Sequence, residues 1–192
     1  MLLALGANQV VLLDAANLEN KSQPVVQIQI TGAQALLKGM GYPDNLIRWV
    51  RPEDIMAAAL PVRALMPSEP IVLDSETTDK RLLIRQAVDH LLKGKILPAP
   101  VSLPSGSFFG SMRVDPNACT LCMECVGSCP ESALVCTENP PRLAFIEANC
   151  IQCKGCSDAC PENAVTLVPR YLFSPEVHHP RELMATKSHA PN

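Results

Sequence analysis

The stretch CTLCMECVGSCP, residues 119–130, decides how this chain is read, because it returns 31 residues later as CIQCKGCSDACP, residues 150–161. Each copy has the spacing Cys-x2-Cys-x2-Cys-x3-Cys-Pro: Cys119, Cys122, Cys125 and Cys129 before Pro130, then Cys150, Cys153, Cys156 and Cys160 before Pro161. The likeness runs past the cysteines, since Glu131 matches Glu162 and Ala133-Leu134 matches Ala164-Val165. A unit of about 30 residues has been duplicated.

Runs of this spacing hold [4Fe–4S] clusters, and where two clusters are present the fourth cysteine of each run ligates the other one. The chemistry fits. Three thiolates at spacing three on a tight loop can wrap three corners of one iron–sulfur cube. The fourth, expected at the start of a helix with Pro130 or Pro161 in its first turn, points toward the cube of the sister loop. The expected ligand sets are therefore Cys119, Cys122, Cys125 and Cys160 for cluster I, and Cys150, Cys153, Cys156 and Cys129 for cluster II. Structural zinc needs four ligands and leaves the third cysteine of each run unexplained. Disulfides suit an exported chain, and Met1–Gly6 has no basic segment of a signal peptide. A thiol–disulfide active site needs one pair of cysteines. The ninth cysteine, Cys136, aligns with Leu167 in the repeat and reads as a small buried hydrophobe.

Outward from this window the chain changes character. Residues 1–118 contain no cysteine. Residues 1–110 carry ten bases and ten acids, whereas residues 111–170 carry four bases and seven acids, which accounts for the net charge of −3. That balance argues against nucleic acid as a partner. No apolar run is long enough to insert in a membrane. With 47% hydrophobic residues in 192, the chain can bury a core. A cytoplasmic location is expected from the missing export signal.

Residues 1–95 read as a small α/β domain with a parallel sheet. Met1–Leu5 resembles a last helical turn capped by Gly6. Gln9–Leu13 reads as a buried parallel strand. Val26, Ile30, Ala33, Leu37 and Met40 share one helical face, although VQIQI at 26–30 also alternates as a strand would. Leu46–Val50 is a second strand. Pro52-Glu53-Asp54 opens a helix to about Leu65, with Pro61 as a kink. Ile71–Leu73 is a weak strand candidate, and Thr78-Asp79 caps a last helix to about Lys93. A strand this near the first residue has two readings: the sequence begins inside a larger domain, or the domain is compact with a short first element. Residues 96–110, with Pro98, Pro100 and Pro104, read as a semi-rigid linker. Residues 111–170 are expected to form an α+β unit with a pseudo-two-fold axis, two short helices and one small antiparallel sheet. Its expected strands are Ser111–Val114, Leu134–Thr137, Leu143–Ile146 and Val165–Val168. Residues 171–192 are expected to be loosely ordered.

On these motifs, residues 111–170 resemble a two-cluster bacterial-type [4Fe–4S] ferredoxin domain. Residues 1–95 resemble the delta-subunit domain of methyl-viologen-reducing hydrogenases. They are also similar to the middle of longer bacterial multi-cluster 4Fe–4S proteins, some associated with formate dehydrogenase systems. LALGANQVVLL (3–13) and GMGYPDNLIRWV (39–50) carry that likeness. This chain departs from both, having neither the cysteines of the delta-subunit domain's own centre nor further cluster motifs. The resemblance implies a relay between redox partners, for which a hydrogenase- or formate dehydrogenase-type oxidoreductase is the expected class.

The leading expectation is a non-catalytic electron-transfer protein or oxidoreductase subunit with two [4Fe–4S] clusters. A flavin- or substrate-binding oxidoreductase fed by the clusters is a second reading, against which stands the lack of a GxGxxG or GxxxxGK[ST] loop. A binding module with structural clusters is a third. Lys154 beside loop II and Glu124 beside loop I have two readings: they make cluster II the easier to reduce, or Lys154 is solvated and, through screening, adds little. Glu124, Glu131, Glu147, Asp158 and Glu162 read as solvated surface or as a face for a basic partner. His90 and the His178, His179 and His189 tail read as packing or surface, and Trp49 as core.

Overall fold

A computed structural model describes residues 1–14, 23–58, 69–72 and 79–185. The chain divides into two compact units, Met1–Val101 and Ser102–Asn192.

In the first unit, Met1–Leu5 makes a single turn (Leu5 N–H to the Met1 carbonyl, 3.1 Å), and Gly6 follows at φ +100°. Strand β1 (Val10–Leu13) leads to helix α1 (Gln23–Gly39). The helical period prevails over the VQIQI alternation, because α1 buries Ile30, Leu36 and Leu37 on one side. Strand β2 (Ile47–Val50) pairs with β1 in parallel, Val10 opposite Ile47 and Leu13 opposite Val50. The Gln34 amide of α1 donates to the Ile47 carbonyl at 2.8 Å and ties helix to strand. The expected burial of β1 is not met: Leu12 and Leu13 are exposed and Trp49 is only half-buried. A parallel strand is buried when helices cover both faces of a sheet, and the sheet here has two strands among the described residues. The expected helix from Pro52 starts as a 3-10 turn, Pro52–Asp54, and continues as α2 (Ile55–Ala58). Its remainder, with Pro61, lies outside the described residues.

Ile71 and Val72 form no strand, although the Ile71 N–H donates to the Ala4 carbonyl at 2.8 Å; Leu73 is outside the described residues. Helix α3 (Lys80–Leu92) is capped by Asp79, whose carboxylate accepts from the N–H groups of Arg81 and Leu82. Ala87, Val88, Leu91 and Leu92 form its buried face. The Tyr42 hydroxyl donates to the Leu91 carbonyl at 2.8 Å, and the Lys95 ammonium lies 3.3 Å from the Tyr42 ring centre. These contacts fasten the turn after α1 to the end of α3.

The second unit is built by the repeat. Short strand β3 (Val101–Ser102), at the boundary of the two units, precedes β4 (Gly110–Val114), which ends at the first cysteine loop. Helix α4 (Glu124–Gly127) is followed by the hairpin of β5 (Leu134–Glu138) and β6 (Pro141–Phe145). Helix α5 (Gly155–Asp158) lies in the second loop, and β7 (Val165–Tyr171) returns antiparallel to β4, Gly110 opposite Pro169 and Val114 opposite Val165. The expected single sheet is two: β3-β7-β4, and β5-β6 extended by β8 (Arg181–Ala185). Met112, Leu143 and Phe145 are almost wholly buried between them, with Leu134 and Val165. Cys136 is not a buried hydrophobe: it is exposed on β5, at the edge of its sheet.

The stretches read as linker and loose tail are structured in large part. The Leu103 N–H donates to the Pro169 carbonyl at 3.2 Å, and the Arg170 N–H to the Phe109 carbonyl at 3.3 Å. Phe109, Tyr171 and Phe173 are buried, with successive ring centres 5.0 Å apart. Aromatic residues flanking the repeat thus supply a second small core. Ser174 caps a 3-10 turn, Pro175–His178, that buries Val177. After it β8 covers the free edge of β6. Residues 186–192 lie outside the described residues.

Candidate iron–sulfur site

The two cysteine loops have the same backbone. Leu121 and Met123 in loop I sit in the left-handed region at φ 60° and 65°, and their repeat partners Gln152 and Lys154 in loop II at 57° and 71°. Ser132 and Asn163, also repeat partners, do the same at 49° and 51°. Residues other than glycine visit this region seldom and at a cost, and such strain gathers where a site over-determines the backbone. Here it curls each loop so that three cysteines face inward.

The expectation that the fourth cysteine starts a helix is corrected. Helices α4 and α5 carry the third cysteine of each run, Cys125 and Cys156, and end before the fourth; they begin directly after left-handed Met123 and Lys154. The left-handed residue reverses the chain, one turn of helix follows, and Cys129 or Cys160 comes after that turn. Proline, lacking an N–H, then ends the regular hydrogen bonding. Each fourth sulfur accepts a backbone hydrogen bond at 3.3 Å, Cys129 from Ala133 N–H and Cys160 from Ala164 N–H. The helices approach closely: a Cβ on Gly155 would stand 3.2 Å from the Ser128 carbonyl oxygen. Glycine takes that place in loop II where loop I has Glu124.

The eight cysteines of the two runs fall into two cavities. Cys119, Cys122, Cys125 and Cys160 line one, walled by Val114, Leu143 and Val165. Cys129, Cys150, Cys153 and Cys156 line the other, walled by Met112, Phe145 and Leu167. Each therefore draws three thiols from one run and the fourth from the other. Among the described residues no three His, Cys, Asp or Glu side chains converge as ligands of a single metal ion. The thiols surround a space, as a polynuclear cluster requires. Cys136 is in neither cavity. His178 and His179 are exposed, His189 lies outside the described residues, and His90 meets the Glu69 carbonyl oxygen at 2.8 Å.

Electrostatics also mark these sites. Burial pushes the Cys125 thiol up from 9.0 to about 11, and the charges of Cys119, Cys122 and Cys160 add to it. The Cys156 thiol is raised to about 11 by burial first, then by Cys150 and Cys129. Four thiolates in so small a space repel one another unless a cationic core lies between them, so iron binding would release protons.

The walls differ between the sites. Glu162 faces cavity I and its repeat partner Glu131 faces cavity II, so these acids balance. Apolar Leu121 and Met123 line cavity I where Gln152 and Lys154 line cavity II. Glu124, expected to set the charge beside cluster I, is exposed and does not line the cavity. The contribution of Gln152 is missed by a reading of charge alone; its signal in the repeat is the contrast with Leu121.

This arrangement suits a ferredoxin-type 4Fe–4S segment. A family model described as a 4Fe-4S binding domain matches residues 111–134, and a second with the same description matches residues 147–164. The chain thus contains a ferredoxin-type 4Fe–4S segment. A search of curated proteins with the sequence finds no match.

Proposed function

We propose that this protein relays electrons through two [4Fe–4S] clusters, as a redox carrier or as a subunit of a larger oxidoreductase system. The observation that carries this is the division of eight cysteines into two four-cysteine cavities, each completed by the other run. Cys119, Cys122, Cys125 and Cys160 would hold one cluster, and Cys129, Cys150, Cys153 and Cys156 the other. When bound, each cluster supplies one-electron transfer. The chain's part is to hold the sulfurs, keep the inner face dry with Met112, Leu143 and Phe145, and leave an outer face open. Cys122 and Cys153 are exposed, so electrons have a short path to a partner there.

With two clusters at −2 each, the loaded chain carries about −7. Low potentials follow, within a family range of about −700 to +450 mV. The partner proposed is a redox protein, of hydrogenase or formate dehydrogenase type on the strength of the resemblance of residues 1–95, with that unit as the docking domain. A cytoplasmic setting, where free thiols stay reduced, belongs to the same reading. Among the described residues no helix is long and apolar enough to cross a membrane.

The test is iron and acid-labile sulfide after anaerobic reconstitution. About eight of each per chain, with colour that bleaches on reduction, is the expected result; zinc without sulfide overturns the proposal. Lys154 gives a sharper prediction. It lines cavity II and is solvent-exposed. Lys154→Glu should lower one of two resolved potentials and leave the other in place, with a shift that shrinks as salt is added. A titration identical to the parent's would remove Lys154 as a cause of asymmetry.

A further inference from the structure

We infer that Gln152 sets the two clusters apart, by giving a side-chain hydrogen bond to a sulfur of cluster II that cluster I has no counterpart for. The inference rests on the two-cluster reading above. The Gln152 Nε2 lies 3.3 Å from Cys150 Sγ and 3.0 Å from the carbonyl oxygen of Ser111 on β4. Both neighbours are acceptors, which assigns the nitrogen to this side of the amide. The amide Oε1 is buried and has no hydrogen-bond partner among the described residues. The site thus satisfies the donor end of the side chain and leaves the acceptor end bare.

The fold makes room for this contact. Gly110, also on β4, has no side chain, and a Cβ there would fall 2.5 Å from Gln152 Cδ. An alanine at 110 would therefore push the amide off its seat. In loop I the repeat partner is Leu121, which has no donor. The backbone bonds to Cys129 and Cys160 sulfurs are matched between the sites at 3.3 Å, so they do not create a difference. Gln152 does.

The physical effect has a definite sign. An added electron raises the negative charge on the cysteine sulfurs. An N–H dipole aimed at one of them stabilises the reduced state more than the oxidised state, so it raises the potential. Gln152 is a positioning and tuning residue; it does not carry the electron. Its pull and that of Lys154 act on the same cluster.

The experiment is a redox titration of the reconstituted full-length protein followed by EPR, with cluster II identified by the paramagnetically shifted β-protons of Cys150. Gln152→Leu should make reduction of cluster II about tenfold less favourable, a downward shift of about 59 mV for one electron, with cluster I unchanged. Gly110→Ala, which leaves the cysteine loop intact, should shift the same cluster in the same direction. Iron and sulfide are measured on every sample. Full iron with an unmoved cluster II potential in both variants overturns the inference and leaves the two-cluster reading standing. A parent chain that binds no iron–sulfur cluster overturns both. Should Gln152→Leu lose iron, Gly110→Ala decides. If melting temperature falls in these variants while the potentials stay, Gln152 is only a tie between loop and strand, and the inference fails.

Discussion

Replacement of Cys129 by alanine is expected to empty the site of the other motif. Cys129 belongs to the first run in sequence, but it lines the cavity of Cys150, Cys153 and Cys156. The variant should lose about half of its iron and sulfide, and the remaining cluster should be the one held by Cys119, Cys122, Cys125 and Cys160. Cys160→Ala should do the converse. The proof lies in combination. Adding Cys129→Ala to a chain that already lacks Cys150, Cys153 and Cys156 should cost no more iron, because all four act at one site. Adding Cys160→Ala to that same chain should remove the rest. If each run held its own cluster, the two combinations would exchange results. Metal analysis of the purified variants is sufficient to decide.

Phe145→Ala is expected to give the largest loss of stability from a single uncharged side chain. Phe145 is 1% exposed, sits opposite Leu134 in the β5–β6 ladder, and forms part of the wall of cavity II. Truncating a buried phenylalanine costs about 3–5 kcal/mol, from lost transfer energy and from the cavity left behind. Because unfolding of a cluster protein releases its metal, the quantity to measure is the denaturant concentration and rate at which cluster absorbance disappears, under anaerobic conditions. Ile96→Ala, at a residue 94% exposed, serves as the control and should lie within about 0.5 kcal/mol of the parent. Equal behaviour of the two variants would mean that the core beneath the cysteine loops adds little to holding the clusters.

Much of the site is written in local sequence. Cysteine spacing within a run fixes which thiols can share a loop, since a few peptide units reach only a few ångströms. The repeat at 31 residues says that two such loops exist. The helical face of α1 was legible for the same reason, as periodicity over many residues outweighs short ambiguities such as VQIQI. The helix at Lys80–Leu92 was marked by Asp79, which caps it. Where the reading went astray, the deciding forces were not local. Leu12 and Leu13 look like buried strand residues, yet burial depends on what covers the sheet. Cys136 matches apolar Leu167 by alignment, but the strand that holds it is an edge. The prolines at 98, 100 and 104 suggested a linker, and the packing of Phe109 on Tyr171 could not be seen in them.

The sequence by itself determined the duplicated cysteine runs, the class of cofactor that they suit, and the separation of a cysteine-free first unit from a cysteine-rich second one. These depend on residue type and spacing along the chain. Lys154 already set the two loops apart in the sequence; only the tertiary structure decided the rest of the difference between the sites. Gln152 reaches the Cys150 sulfur because β4 passes beside loop II and because Gly110 leaves space there. Glu131 and Glu162 cancel because each run lends its last cysteine, and the acid two residues after it, to the opposite cavity. Such effects act through space at short range, between residues about 40 positions apart, and chain order does not encode that distance.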